Sequence, residues 1–377
     1  MNKNIKIKES LILKFKNQKF IAFLLGLILI VSGCGGGVNN SDTVVNNANS
    51  TESGNKTVVQ TKKLKIQVSI YPMYEFTKNV AGDLAEVEVL VPGGMEPHDW
   101  EPTPQDLKKI AESDVLVYNG AGMEGWIDQV LSAVSNDKLV KIEASHGLDI
   151  MEGSDEEVHE HEGEEAHDHE GEEAHDHNGE EAHEHEGEEA HEHAEEGHHH
   201  DHGGLDPHVW LSPTLAIKEV RNIEAGLVEA APEHKDEFKK NADEYVAALE
   251  QLDQEFKDGL SNTKRKDFIT QHAAFGYLAK EYGLTQVPIA GLSPEQEPSA
   301  EKMTEIVKFA KEHHVKTIFF ETLVSSKVAD TIAKEIGAQS AVLNPIEGLT
   351  DEDKANNLDY LSIMRQNLEG LKAALNE

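Results

Sequence analysis

The 21 histidines of this 377-residue chain fall into two unlike groups. Seven are scattered, and three of these have surroundings that suit metal coordination. His98 lies in "EPHDWEPTP" and His208 in "DPHVWLSP". Each is preceded by proline, followed two residues later by tryptophan, and set just before a helix start. Thr103, Pro104 and Asp106 form a box-like cap after the first, and Ser212 with Pro213 repeats the device after the second. His272 ends "FITQH", between a buried strand and a helix. Glu321 closes the apolar run "TIFFET". Alone, such a glutamate reads as a helix-capping or solvent-facing group; beside three converging histidines it makes a plausible fourth ligand. Three neutral imidazoles and one carboxylate suit tetrahedral Zn²⁺, with bonds of about 2.0–2.2 Å. Such a site carries a net charge of +1 when filled, and its affinity should fall as histidines protonate near pH 6.

The other four scattered histidines read as structural or surface groups. His234 sits in the first turn of a long helical pattern. His313 and His314 close a helix, where a cation favours the dipole. His146 lies in a loop.

The remaining 14 histidines crowd into 151–204 with 23 Asp and Glu and no Lys or Arg. Pairs of H-x-H recur every eight residues: His159 and His161, His167 and His169, His175 and His177, His183 and His185, His191 and His193. His198, His199, His200 and His202 follow. So polar a repeat cannot bury enough apolar surface to order itself. Any ion it holds must also order a floppy chain. It therefore reads as a weak, multivalent collector or sensor, or else as a solvated repeat expansion, and the tight site is assigned to the isolated histidines. No H-E-x-x-H, G-x-S-x-G, Walker loop or dinucleotide fingerprint is present. Four protein ligands leave no open coordination position, which argues against metal-assisted hydrolysis and against an enzyme.

The elements that must position these residues follow from the patterning. From 64 onward, strand-like runs ("KIQVSI", "AEVEVLV", "DVLVYNG", "KLVKIE") alternate with amphipathic helical runs. After the histidine-rich insert comes one helix and then a long helical pattern over 232–260, about 42 Å at 1.5 Å per residue. The alternation resumes with "KDFITQ", "TQVPIAG", "KTIFFET" and "QSAVLNP". The expected fold is α/β: two (β/α) lobes with mainly parallel sheets, joined by one long rigid helix. Ligands of open α/β sheets bind beyond the carboxyl ends of strands, where His98, His208, His272 and Glu321 all fall. The expected divisions are an N-terminal lobe at 64–231 containing the insert, a linking helix at 232–262 and a C-terminal lobe at 263–377.

The formal charge of −37 shrinks to −14 once the insert is set aside. No basic stripe meets phosphates, so nucleic acid is a poor partner. Lys3, Lys6, Lys8, Lys14, Lys16 and Lys19 precede "FIAFLLGLILIVSGC", the layout of a secretory signal over 1–33. The apolar run is too short for a comfortable span of roughly 20 residues. Its end resembles a bacterial lipobox, which makes Cys34, the only cysteine, the expected site of lipidation. Residues 34–63, rich in Gly, Asn, Ser and Thr, then form a flexible tether reaching about 30 Å.

Taken together, "PHDWEPTPQDL", "DPHVWLSP", "TQHAAFGYLAKEYGL", "GLSPEQEPS" and "KTIFFET" resemble the zinc-binding lipoproteins of bacterial ABC importers, the ZnuA/AdcA-like branch of the metal-specific solute-binding proteins. The resemblance covers the whole folded body. It implies metal held in the interlobe cleft, by His98 and His208 from the first lobe and His272 and Glu321 from the second. It further implies a lipid-anchored, monomeric receptor on the outer face of the membrane, with one tight Zn²⁺ site, serving a permease with its ATPase. Manganese-selective relatives carry a carboxylate in place of His272, so nitrogen-rich ligation favours zinc here. The chain departs from the family in its unusually long, regular insert, and it lacks the cysteine pair of the second-lobe disulfide found in some relatives. The alternatives are a manganese or mixed-metal receptor, and a surface adhesin or metal buffer working through the insert.

Overall fold

A computed structural model describes residues 62–153 and 204–377. The expected signal, Cys34 and nearly all of the tether lie outside the described residues. So do all the insert histidines expected to collect metal: His159, His161, His167, His169, His175, His177, His183, His185, His191, His193, His198, His199, His200 and His202.

Among the described residues, eight strands fall where the patterning puts them. The first four are β1 (Leu64–Val68), β2 (Ala85–Val89), β3 (Val115–Tyr118) and β4 (Val140–Glu143). The second four are β5 (Asp267–Thr270), β6 (Thr285–Pro288), β7 (Thr317–Phe320) and β8 (Gln339–Val342). They form two sheets of identical design, ordered β2-β1-β3-β4 and β6-β5-β7-β8, and every pairing is parallel. Parallel neighbours need crossovers. In the first lobe α1 (Tyr71–Ala81), α2 (Pro104–Ala111) and α3 (Ile127–Ala133) supply them. In the second, α6 (Gly276–Tyr282), α7 (Ala300–Glu312) and α8 (Lys327–Ile336) do so. In both sheets the chain turns back beside the first-formed strand. Between β1 and β3, and between β5 and β7, crossovers therefore leave in opposite directions and open a crevice at the strand ends.

Two long helices bind the lobes into one body. Helix α4 (Pro213–Ala230) leads into α5 (Lys235–Leu260), which is about 39 Å long at 1.5 Å per residue. The expected helix over 232–260 is thus shorter at its start, because Pro232–His234 forms a separate 3₁₀ turn. Phe238, Leu249, Leu252 and Phe256 of α5 are fully buried. They belong to one apolar core running from Ile66, Val68 and Phe76 of the first lobe to Phe268, Phe319 and Tyr360 of the second. The helices α9 (Asp351–Ala355) and α10 (Tyr360–Leu375) complete the chain. The shared core, rather than the helix alone, is what stiffens the connection.

Local chemistry fixes the site-bearing loops. Thr103 caps α2 with the expected box, accepting from Asp106 N while Asp106 Oδ2 accepts from Thr103 N at 3.0 Å. Ser212 precedes α4 but makes no such bond; its hydroxyl pairs with that of Thr214 instead, at 3.0 Å.

Candidate metal centre

His98, His208 and His272 come together beneath the two rows of strand ends. His98 follows β2, His208 follows β4 by way of the insert, and His272 follows β5 directly. The carboxylate that joins them is Glu347, in the loop after β8. One donor atom from each of the four lies within 4.8 Å of the others. Glu347 Oε1 is 3.3 Å from His98 Nε2, 3.2 Å from His208 Nε2 and 3.5 Å from His272 Nε2. The Nε2 atoms of His208 and His272 are 3.4 Å apart. Four donors at about 2.05 Å from a tetrahedral centre stand about 3.3–3.4 Å from one another. The three edges from Glu347 and the one between His208 and His272 match, and all four side chains have at most 1% of their surface exposed.

Glu321 is the expected fourth ligand, and the structure puts it elsewhere. Its Oε1 lies 2.5 Å from His272 Nδ1, on the far side of the ring from the donor cluster. The reason is register: Glu321 directly follows β7, next to β5, and so reaches only the back of the imidazole. Asp206 plays the same part for His208, its Oδ1 meeting His208 N at 3.0 Å and Nδ1 at 2.8 Å. A carboxylate on Nδ1 holds that proton in place and leaves Nε2 as the ligating atom.

Glu347 is aimed by a strained turn. Ile346 has φ of 62°, a left-handed conformation that disfavours a β-branched side chain. The turn is held from several directions. Asn344 Oδ1 accepts from Ile346 N at 2.8 Å, and the indole of Trp210 donates to Pro345 O at 2.7 Å. Tyr71 N donates to Glu347 O at 3.4 Å. Trp210 and Tyr71 belong to the first lobe, so the second lobe's carboxylate is fastened by both.

The electrostatics are divided among the three rings. Burial pushes His98 down to about 4 against the pull of Glu347. For His272 burial works the same way, but Glu321 and Glu347 outweigh it and hold the ring up at about 10. Burial opposes charge on His208 too, yet its bonds to Asp206 and Glu347 prevail and raise it. Burial alone would push Glu347 up, but the three histidines outweigh it and hold the carboxyl well below the usual range. Glu96 lies at the edge, its carboxylate 4.0 Å from His98 Nε2, and burial with the nearby Glu347 charge lifts it to about 8.

The four other scattered histidines stay away from this cluster. His146, with 81% of its side chain exposed, lies near Glu143, His234 near Glu237, and His313 near Asp267. His314 occupies a positive-φ turn after α7.

Residues 66–374 match the family described as ZnuA, zinc-uptake complex component A, periplasmic. The chain belongs to this family. Among ZnuA-family relatives it is 44% identical over 361 residues to the high-affinity zinc uptake system protein ZnuA of Bacillus subtilis, covering 96% of this chain and 98% of that one. It is 41% identical over 310 residues to the zinc-binding lipoprotein AdcA of Streptococcus pneumoniae, covering 82% of this chain and 55% of AdcA, about half its length. The crystal structure of the Zn(II)-bound ZnuA-like domain of that AdcA superposes with a TM-score of 0.65 at 37% identity, over 84% of this chain and all of that domain. The ZnuA-family fold thus agrees with the two-lobed architecture, and a His₃Glu cluster suits the ion bound in that relative.

Proposed function

We propose that this protein is an extracytoplasmic receptor that captures Zn²⁺ with high affinity and hands it to an ABC importer. The observation that carries the reading is the buried cluster of His98, His208, His272 and Glu347, whose donors lie within 4.8 Å of one another, with Glu347 Oε1 3.2–3.5 Å from all three Nε2 atoms. Three imidazole nitrogens and a single carboxylate favour zinc over manganese, which prefers oxygen-rich sites. Four protein donors complete the coordination shell and leave no position for a reacting water, which supports binding rather than catalysis.

Delivery follows from how the donors are shared. His98 and His208 come from one lobe, His272 and Glu347 from the other. Parting the lobes therefore splits the site into two bidentate halves, each a weak binder. A membrane permease that grips the two lobes differently would empty the site in this way, with an ATPase supplying the work. Lipidation at Cys34, after removal of 1–33, would hold the receptor at the outer face of the membrane, and 34–63 would let it reach its partner. No helix among the described residues is long and apolar enough to cross a membrane. The insert's histidines would collect ions weakly.

The test is zinc stoichiometry and affinity in a chain whose residues 154–203 are replaced by a short Gly-Ser link. One tight site is expected, and His98→Ala or His272→Ala should abolish it. A tight site surviving either substitution would refute the assignment, and loss of the site with the insert alone would favour a metal buffer.

A further inference from the structure

Tyr277 has no part in the coordination described above, yet its buried hydroxyl joins three segments. It accepts from Met151 N at 2.8 Å and donates to Asp206 O at 2.9 Å. Met151 and Asp206 lie at the two ends of the histidine-rich segment. Between them runs a short antiparallel ladder, with Asp206 N on Met151 O at 2.9 Å, Gly153 N on Gly204 O at 2.7 Å, and Glu152 bridged to Leu205. The base of that segment is therefore a fixed structure, and Tyr277 of the second lobe is seated against it.

We propose that Tyr277 is a positioning residue for His208, acting across the lobe boundary through Asp206, so that the base of the histidine-rich segment is built into the tight metal site. This rests on the zinc-receptor reading above. The Asp206 carboxylate sets both the backbone and the Nδ1 proton of His208, at 3.0 and 2.8 Å. The Asp206 backbone, in turn, is set by the Tyr277 hydroxyl. The same helix also packs close on the carboxylate: a β-carbon on Gly276 would stand 2.8 Å from Asp206 Oδ2, so the absence of a side chain there lets α6 approach. Tyr277 lies five residues beyond His272 in the same segment. Any movement of the second lobe thus shifts one ligand, His272, and the support of another, His208, together. The two halves of the site are yoked, which makes closure on the ion and loss of the ion more cooperative than four independent ligands would be.

The test measures zinc affinity of the full chain by chelator competition, at free zinc low enough that only the tight site fills. Wild type, Tyr277→Phe, Asp206→Ala and the double variant form a cycle. Tyr277→Phe is expected to weaken zinc binding about 10-fold, the lower end for supports of metal ligands, while the metal-free chain keeps its cooperative thermal transition. In the Asp206→Ala background it should add little. Equal affinity of Tyr277→Phe and wild type, or the same loss with and without the Asp206 carboxylate, would overturn the proposal. Should Tyr277→Phe not fold, Gly276→Ala crowds the carboxylate and keeps the hydroxyl; weaker zinc binding is expected, and unchanged binding overturns the idea. A wild-type chain without a tight zinc site would instead defeat the receptor reading itself.

Discussion

Zinc binding should release protons, and the structure says from where. In the metal-free protein His98 is pushed down to about 4 by burial, so it is neutral at pH 7 and gives up nothing. His272 is held at about 10 despite burial, because Glu321 faces Nδ1 and Glu347 faces Nε2. At pH 7 its ring therefore carries both protons, and the one on Nε2 occupies the position of a metal bond. Zinc must displace it, while the Nδ1 proton stays with Glu321. His208 is raised as well, by Asp206 and Glu347 against burial, and contributes up to a second proton. Between one and two protons should leave per ion bound. Because the proton competes with the metal, affinity rises with pH up to the metal-free pKa, about tenfold per unit for each proton released, or about 1.4 kcal/mol. From pH 6 to 8 the increase should be at least ~100-fold, or about 3 kcal/mol.

The assay is calorimetric titration in buffers of different ionisation enthalpy, paired with chelator competition across that pH range, on the chain lacking 154–203. Glu321→Gln is the control. The amide oxygen still accepts the Nδ1 proton but carries no charge, so the His272 pKa drops, and proton release at pH 7 shrinks. A heat independent of buffer, or an affinity that changes less than tenfold between pH 6 and 8, would refute the protonated His272.

Metal-free stability should run the opposite way. The folded pKa of His272 lies above its unfolded value of about 6.5, so its contribution is complete below that pH and disappears as pH rises through about 10; thermal melts from pH 7 to 10 should show the metal-free midpoint falling and the zinc-induced increment growing. Glu347→Gln removes the only anionic donor and should weaken zinc more than the ~10–100-fold expected of Glu321→Gln; the reverse order in competition titrations would restore Glu321 as the direct ligand. Trp210→Phe leaves Pro345 O without its buried donor and should cost about 1–3 kcal/mol in denaturant unfolding, with weaker zinc binding because the Glu347 turn loosens.

Much of this protein is legible from its residues. Among the described residues, all eight strands are marked by short apolar runs, and nine of the ten helices by period and by terminal signals such as Thr103-Pro104. The exception, α9, is five residues long and has no buried face to pattern. The three histidines stand out because each closes a strand or precedes a helix in an otherwise apolar or prolyl context. Glu347 escapes the sequence reading although the same rule covers it: "AVLNPIEG" is a strand followed by a polar turn. Nothing in that run announces a left-handed isoleucine, and that conformation is what swings the carboxylate inward. Glu321 has the better sequence signature, a charge directly ending an apolar strand. Its true position depends on which strand lies beside β5, a tertiary fact. Asp206 is similarly invisible as a support, since an Asp two residues before a His is common in turns.

The pairing of carboxylates with rings also explains how so buried a site can exist in two states. A pocket holding Zn²⁺ among Glu347, Glu321 and Asp206 would, once emptied, leave several acidic groups with no counter-charge at almost no exposure, a costly arrangement. Here the cost is avoided because the rings themselves take up charge. A proton on His272, and the raised proton affinity of His208, supply positive charge when the ion departs, so loading exchanges protons for metal and limits the change in buried charge. His98, kept neutral by burial, is the one ring of the three that need not lose a proton to accept the ion at pH 7. When the lobes part, the strong preference of His272 for a proton opposes recapture of the zinc.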